Sequence, residues 1–153
     1  METITKVIVT PEILSLIDRA IAEDLHGGDQ TTEVLISSNL VGKAVVLAKS
    51  DGIIAGIDVA LAVFSRVDPN VVSNALIQDG STPVVEDIGN GIKASFILET
   101  VGPIASILAA ERTAMDFLQH LSGIATHTSK YVEAVKGYNV VILDTRKTTP
   151  GLR

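Results

Sequence analysis

Four consecutive apolar residues near the end of the chain, VVIL at positions 140–143, constrain the fold more than any other feature. Because they do not alternate with polar residues, they predict a strand buried on both faces, as in a parallel sheet covered by helices. Such a strand needs parallel neighbours, and each neighbour needs a crossover connection. Only ten residues follow this run, so we expect the chain to be the front part of a larger architecture.

Helical spacing precedes this strand from Pro103 to Gly137. Ser122 and Gly123 predict a break or bend within it, and Gly137 is a favourable helix stop. The apolar residues form one stripe, which comprises Ile104, Ile107, Leu108, Ala114, Phe117, Leu118 and Leu121.

The first hundred residues predict alternating short helices and strands. Thr10 and Pro11 are typical of a helix start, and Gly27 and Gly28 of its end, before a polar, glycine-rich loop over 26–32. The DG and GNG turns between the short strands favour antiparallel pairing. The predicted elements are a helix from Pro11, a strand at 42–49, a helix at 57–67 ending before Pro69, and strands at 71–78, 84–85 and 92–98.

Composition excludes several classes of function. With 12 basic and 18 acidic residues the net charge is −6, which argues against nucleic acid or an anionic membrane as a partner. The absence of cysteine excludes disulfides, a thiol nucleophile and thiolate metal sites. Residues 1–10 lack a secretory pattern, and the apolar stretch at 100–110 is too short to span a bilayer, so we expect a cytoplasmic protein.

A basic segment directly follows the predicted strand. From Thr145 onward it contains Arg146, Lys147 and Arg153 but no carboxylate, with threonine hydroxyls among the cations. Loops at the carboxyl ends of parallel strands build active sites, and this mixture suits a small polyanionic ligand. The alternative from composition alone is a solvated basic turn.

Other polar residues point less clearly to chemistry. Arg112 and Asp116 have the i,i+4 spacing of a surface ion pair. His120 and His127 are too far apart along a helix for one metal ion, and we expect the adjacent acids Glu23 and Asp24 to be solvated. His26, in the polar loop, could contact a ligand. The sequence has no GxSxG, Walker or Rossmann motif.

Two long motifs are nevertheless specific. The stretches ERTAMDFLQHLSGIAT at 111–126 and LDTRKTTPGLR at 143–153, with AEDL at 22–25, closely resemble the quinolinate phosphoribosyltransferases, also called nicotinate-nucleotide pyrophosphorylases (carboxylating). The resemblance implies an α+β chain, with an N-terminal α/β sandwich domain over 1–110 followed by the start of an open α/β barrel. Residues 111–153 would then hold the linking helices, the first barrel strand and its ligand loop.

The family activity transfers phosphoribose from phosphoribosyl pyrophosphate to quinolinate, with Mg²⁺, and releases CO₂. Its product, nicotinate mononucleotide, leads to NAD. By resemblance, Thr145, Arg146 and Lys147 bind substrate, with Arg146 and Lys147 as the catalytic pair. Arg112 resembles the arginine that reaches quinolinate from the neighbouring subunit of a homodimer, which can assemble further.

The resemblance also sets limits on what this chain can do. The family's acidic residues for the donor and Mg²⁺ would lie beyond Arg153, so we expect no metal ligand here and no activity from this chain alone. Asp116 stands where the family more often has asparagine, and Ala105 where arginine is common. Two alternatives stay open: a same-fold relative associated with molybdate transport, and a non-catalytic carrier modified near Lys49.

Overall fold

The computed structural model describes residues 8–37 and 39–150. Over these residues, helices and short strands alternate along the first two thirds of the chain, and one long helix follows. The elements are α1 (Pro11–Asp24), α2 (Gln30–Leu35), β1 (Val41–Ala48), α3 (Ile57–Val67), β2 (Val72–Ala75), β3 (Glu86–Asp87), β4 (Lys93–Pro103) and α4 (Ile104–Ala134).

The strands form one open antiparallel sheet in which β4 is the central strand. β1 pairs along one side of β4, and β2 and the two-residue β3 also pair with β4. Alternate residues of β1 and β4 point to opposite faces, because side chains in a strand have a period of two. Helices cover one face, and the other face carries exposed residues such as Val45 and Val101 around an ion pair between Lys43 and Glu99.

The core lies between the covered face of this sheet and helices α1, α3 and α4. Its members are aliphatic with one phenylalanine, as the near absence of aromatic residues requires. The most deeply buried of them are Ile17, Ala60, Val63, Phe64, Ile97, Leu98, Ala110 and Ala114. This arrangement of helices on one side of an antiparallel sheet is the α/β sandwich that the sequence predicts.

Several local predictions are confirmed. Thr10 caps α1, since its Oγ1 accepts a hydrogen bond from the Ile13 N–H at 3.4 Å, and Pro11 is the first helical residue. Helix α3 spans 57–67 as predicted, and β1 begins one residue before the predicted start. The polar loop is interrupted by the short helix α2, which the sequence did not predict and which Asp29 caps.

The predicted strand limits are wrong in three places. β2 is shorter than the predicted 71–78, and β3 lies at Glu86–Asp87 instead of 84–85. β4 continues to Pro103, five residues beyond the predicted end, because β1 pairs with it from Ser95 to Pro103. The ends of these strands are therefore set by pairing with neighbouring strands, which the spacing of residues in the sequence does not reveal.

The predicted break at Ser122 and Gly123 is wrong, because α4 runs without interruption to Ala134. Ser122 Oγ accepts from the Ala55 N–H at 3.0 Å, and Thr126 Oγ1 accepts from the Ile53 N–H at 2.8 Å. A glycine inside a helix costs about 1 kcal/mol. These two hydroxyl contacts, one turn apart on the same face, join the helix on both sides of Gly123 to residues 53–55.

The predicted strand at 140–143 does not form among the described residues, and this is the main correction to the sequence analysis. No strand is assigned there, and Val141 and Leu143 are 78% and 80% exposed. The physical reason is that a parallel strand needs neighbours to satisfy its backbone, and the described residues provide none for this run.

Candidate active site

Arg112 lies on the side of α4 that faces away from the core. Ala110 and Ala114, one turn apart, are fully buried, so the residue midway between them points outward. Its side chain is 75% exposed. The helix therefore presents a guanidinium at the surface from a rigidly packed element.

The partner of Arg112 is Asp24, the last residue of α1. Arg112 Nη1 donates a short hydrogen bond to Asp24 Oδ1, and the Asp24 side chain is only 15% exposed. A carboxylate at the C-terminal end of a helix faces the negative end of the helix dipole, and α1 has no basic residue in its last turn. Arg112 provides the compensating positive charge from a different helix.

This contact corrects two expectations from the sequence. Arg112 pairs with Asp24 and not with Asp116, and Asp24 is a mostly buried ion-pair partner and not a solvated acid. The pKa of Arg112 is raised, first by its hydrogen bond with Asp24 and then by the negative charge of Asp24. Desolvation lowers this pKa by less than Asp24 raises it, and the charges of Asp116 and Asp29 raise it slightly further. The guanidinium thus stays positively charged among these negatively charged carboxylates.

A polar cleft of about 440 Å³ opens beside this ion pair. One wall is the loop after α1, where Gly27 and Gly28 have φ angles of +96° and +83°. These left-handed conformations favour glycine and turn the chain back towards α4. The cleft is lined by Asp24, Leu25, His26, Gly27, Gly28, Asp29, Leu108, Ala109 and Arg112.

The guanidinium of Arg112 keeps binding capacity for an anion. Its single hydrogen bond within the described residues uses one of its five N–H donors. The remaining N–H groups can donate to a carboxylate or phosphate in bidentate geometry, which is the arrangement that arginine favours. His26, which we expected could contact a ligand, lines the same cleft.

Thr145, Arg146 and Lys147 lie elsewhere. The Lys147 N–H donates to Thr145 Oγ1 at 3.2 Å, so the threonine shapes the backbone around the two cations. All residues from 136 to 150 are exposed. Arg153 lies outside the described residues.

The structure does not bring Arg112 and the basic segment together within one chain. The helix continues from Arg112 to Ala134, a distance of roughly 33 Å at about 1.5 Å per residue. The basic segment follows the far end of this helix. Arg112 therefore lies in the first third of α4, and the basic segment follows the other end of that helix in the chain.

Neither the cleft nor the basic segment provides a metal site. Among residues 8–37 and 39–150, no three histidine or carboxylate side chains are placed to hold one ion. Within the same residues, no helix has the length and apolar character needed to cross a membrane.

Comparison with known proteins agrees with the resemblance. Residues 29–122 match the family described as quinolinate phosphoribosyl transferase, N-terminal domain, and residues 124–153 match its C-terminal domain. A probable nicotinate-nucleotide pyrophosphorylase (carboxylating) from Synechocystis is 38% identical over 134 residues, which cover 87% of this chain and 42% of that protein. The corresponding protein of Bacillus subtilis is 37% identical, over 93% of this chain and 46% of the relative.

Solved structures give the same result. The crystal structure of NadC from Streptococcus pyogenes superposes with a TM-score of 0.84 at 34% identity, over 95% of this chain and 49% of that one. The nicotinate-nucleotide pyrophosphorylase of Francisella tularensis gives a TM-score of 0.80 at 33% identity, over 99% and 51%. The chain spans about half the length of these solved structures and somewhat less than half the length of the curated relatives. It belongs to the quinolinate phosphoribosyl transferase family.

Proposed function

We propose that this chain takes part in phosphoribosyl transfer from phosphoribosyl pyrophosphate to quinolinate, with decarboxylation. The products would be nicotinate mononucleotide, pyrophosphate and CO₂, on a route to NAD. Curated relatives that are 35–38% identical carry the names of this enzyme, which supports the proposal. The reaction brings together a dicarboxylate and a donor with several phosphate charges, so the site must overcome their mutual repulsion.

The observation that carries the proposal is the exposed, partly unsatisfied guanidinium of Arg112 beside a polar cleft. A planar guanidinium suits a planar carboxylate, and quinolinate has two carboxylates on adjacent ring carbons. Asp24, Asp29 and Asp116 surround Arg112 in this chain. Their negative field disfavours a free anion, so the substrate must bring enough contacts from elsewhere to bind.

We propose that Thr145, Arg146 and Lys147 supply those contacts. In this arrangement Arg146 clamps a carboxylate of quinolinate and Lys147 faces the phosphoribosyl donor. The cations stabilise the negative charge that collects on pyrophosphate as it leaves an oxocarbenium-like ribose. Holding both anions in place also removes much of the entropic cost of their encounter. No nucleophile from the protein is required.

The site is proposed to be shared between two copies in a homodimer. The 22 helical residues that follow Arg112 before the end of α4, a length of roughly 33 Å, support this, because an antiparallel second copy would bring one chain's Arg112 towards the other's basic segment. We further propose that Mg²⁺ arrives with the pyrophosphate oxygens of the donor. The described residues do not form a site for that ion, so we assign it no step here.

A cytoplasmic location stays a prediction, which cell fractionation can test.

The activity test uses the protein produced from its own gene. Pyrophosphate and CO₂ should form only when quinolinate, phosphoribosyl pyrophosphate and Mg²⁺ are all present. Pyrophosphate release only when a different acceptor replaces quinolinate would favour the alternative of a same-fold relative with another acceptor. The variants Arg112→Ala and Arg146→Ala should each lose about 100-fold or more in kcat/KM, as is usual when a charged clamp is lost. Arg66→Ala is the matched control, since Arg66 pairs with Asp18 away from the cleft.

Mixing tests whether the site is shared. If Arg112 and Arg146 of one site come from different copies, a mixture of the two inactive variants forms heterodimers with one intact site. Random pairing would then restore about a quarter of the wild-type activity. A mixture no more active than either variant alone would refute the shared site while leaving the proposed reaction intact.

A further inference from the structure

The two side chains of the ion pair between Asp24 and Arg112 differ strongly in their exposure to solvent. Asp24 is mostly covered, at 15% exposed, whereas the Arg112 side chain is 75% exposed. Exposed ion pairs usually contribute little to stability, because both side chains lose entropy and water screens the charges. A covered carboxylate that holds an exposed arginine is better suited to fixing the position of the arginine than to stabilising the fold.

The geometry lets Asp24 hold Arg112 without blocking it. The contact is a single one, from Nη1 of Arg112 to Oδ1 of Asp24. The Nε and Nη2 donors of Arg112 have no hydrogen-bond partner among the described residues. An anion can therefore bind the other edge of the guanidinium while Asp24 stays in place.

The same molecule contains a pair that serves as a contrast. Asp18, one and a half turns earlier on α1, binds Arg66 through two hydrogen bonds of 2.7 and 2.6 Å. Both partners of that pair are about half exposed, and both oxygens of the carboxylate are engaged. The pair between Asp18 and Arg66 closes on itself, whereas the pair between Asp24 and Arg112 leaves a binding edge open at a cleft.

We propose that Asp24 is a positioning residue, which fixes the Arg112 guanidinium at the rim of the cleft so that its free edge meets a carboxylate of the acceptor. This inference rests on the proposed function. An unrestrained arginine side chain loses rotamer entropy when it is fixed by a bound substrate. Asp24 restrains the side chain in the free protein, before the acceptor arrives.

The test compares Asp24→Asn with Asp18→Asn in the complete gene-encoded protein. Asp24→Asn keeps the size of the side chain and removes its charge. We expect the KM for quinolinate to rise about tenfold, while kcat and the KM for phosphoribosyl pyrophosphate change less than about twofold. Asp18→Asn should leave all three constants unchanged, and Asp24→Glu should restore most of the lost affinity. In an Arg112→Ala background, Asp24→Asn should have no further effect, because the two residues act as one unit.

A spectroscopic measurement separates positioning from folding. The Nη1–H signal of Arg112, assigned by its loss in Arg112→Lys, should exchange faster with water in Asp24→Asn than in the wild type, because Nη1 donates the hydrogen bond to Asp24. The same signal should be unchanged in Asp18→Asn. If Asp24→Asn fails to fold, the same exchange rate and the KM for quinolinate are measured in Asp24→Ser, which also removes the carboxylate.

The outcomes distinguish the two proposals. A wild-type protein that forms no pyrophosphate from the full reaction mixture would overturn the proposed function. An active wild type, together with an unchanged KM for quinolinate and an unchanged Arg112 signal in Asp24→Asn, would overturn only the positioning role of Asp24.

Discussion

Gly56 offers a quantitative test of how α3 and α4 pack together. It lies directly before α3 with a φ angle of +97°. A Cβ atom at this position would lie 2.6 Å from Leu121 Cδ1 and 3.3 Å from Leu121 Cβ. The change Gly56→Ala therefore introduces both backbone strain and a clash with a residue in the middle of α4.

The magnitude follows from these two causes. A left-handed conformation costs a non-glycine residue about 1–2 kcal/mol. Overpacking a well-packed contact costs about 1–3 kcal/mol, and the reduced freedom of the unfolded chain returns about 0.4–1 kcal/mol. We expect Gly56→Ala to lower the free energy of unfolding by about 2–4 kcal/mol in total.

Gly89→Ala is the matched control. Gly89 has a φ angle of +110°, but no atom lies within 4 Å of the position of its missing Cβ. It should show the strain without the clash, a loss of about 0.5–1.5 kcal/mol. Urea denaturation followed by circular dichroism gives both values. Equal losses for the two variants would refute the packing of Gly56 against Leu121.

A double variant isolates the clash further. Truncation of Leu121 to alanine removes the Cδ1 atom that Gly56→Ala would meet. In a Leu121→Ala background, the additional cost of Gly56→Ala should fall to the value seen at Gly89. An unchanged cost would mean that backbone strain alone accounts for the effect.

Three further predictions concern the contacts around α3 and α4. Thr126→Val leaves the Ile53 N–H without its 2.8 Å acceptor and should cost about 1–2 kcal/mol in urea denaturation; no change would remove the hydroxyl contact as a stabilising feature. Asp79→Asn weakens the carboxylate cap on the first N–H groups of α3 and should cost about 1 kcal/mol in the same assay, whereas a neutral result would argue against the cap. The pKa of Asp68 in the folded protein is lowered chiefly by the hydrogen bond from Ser106. The ionised Asp68 therefore stabilises the fold at any pH above its unfolded pKa of about 3.9, and this contribution is lost as the pH falls through the lower folded pKa. In Asp68→Asn, the melting temperature should depend less steeply on pH below about pH 4, and an unaltered pH profile would contradict this assignment.

Local patterns in the sequence were sufficient for elements whose limits depend on nearby residues. Thr10 and Pro11 begin α1, and the boundaries of α3 follow from Gly56 and Pro69. Caps and breakers act within one turn, so they can be identified without knowledge of the fold. The alternation of exposed and covered residues in β1 is likewise a local property.

The candidate site was only partly predictable. Arg112, Thr145, Arg146 and Lys147 were identified by resemblance, and their roles stay predictions. Asp24 was not identified as a site residue, although it lies within the AEDL segment at 22–25 that contributed to the resemblance. Its importance depends on a contact with a residue 88 positions away, and no periodicity in the sequence reports such a contact.

The sequence by itself determined the family, the starts of α1 and α3, and the placing of cations on α4 and on the segment after it. The tertiary structure alone decided that α4 continues through Gly123, because Ser122 and Thr126 bond to residues 67 and 73 positions earlier. It also decided that Arg112 pairs with Asp24 and that 140–143 forms no strand among the described residues. Propensity acts over one or two turns, whereas partners distant in the sequence meet only once the chain has folded.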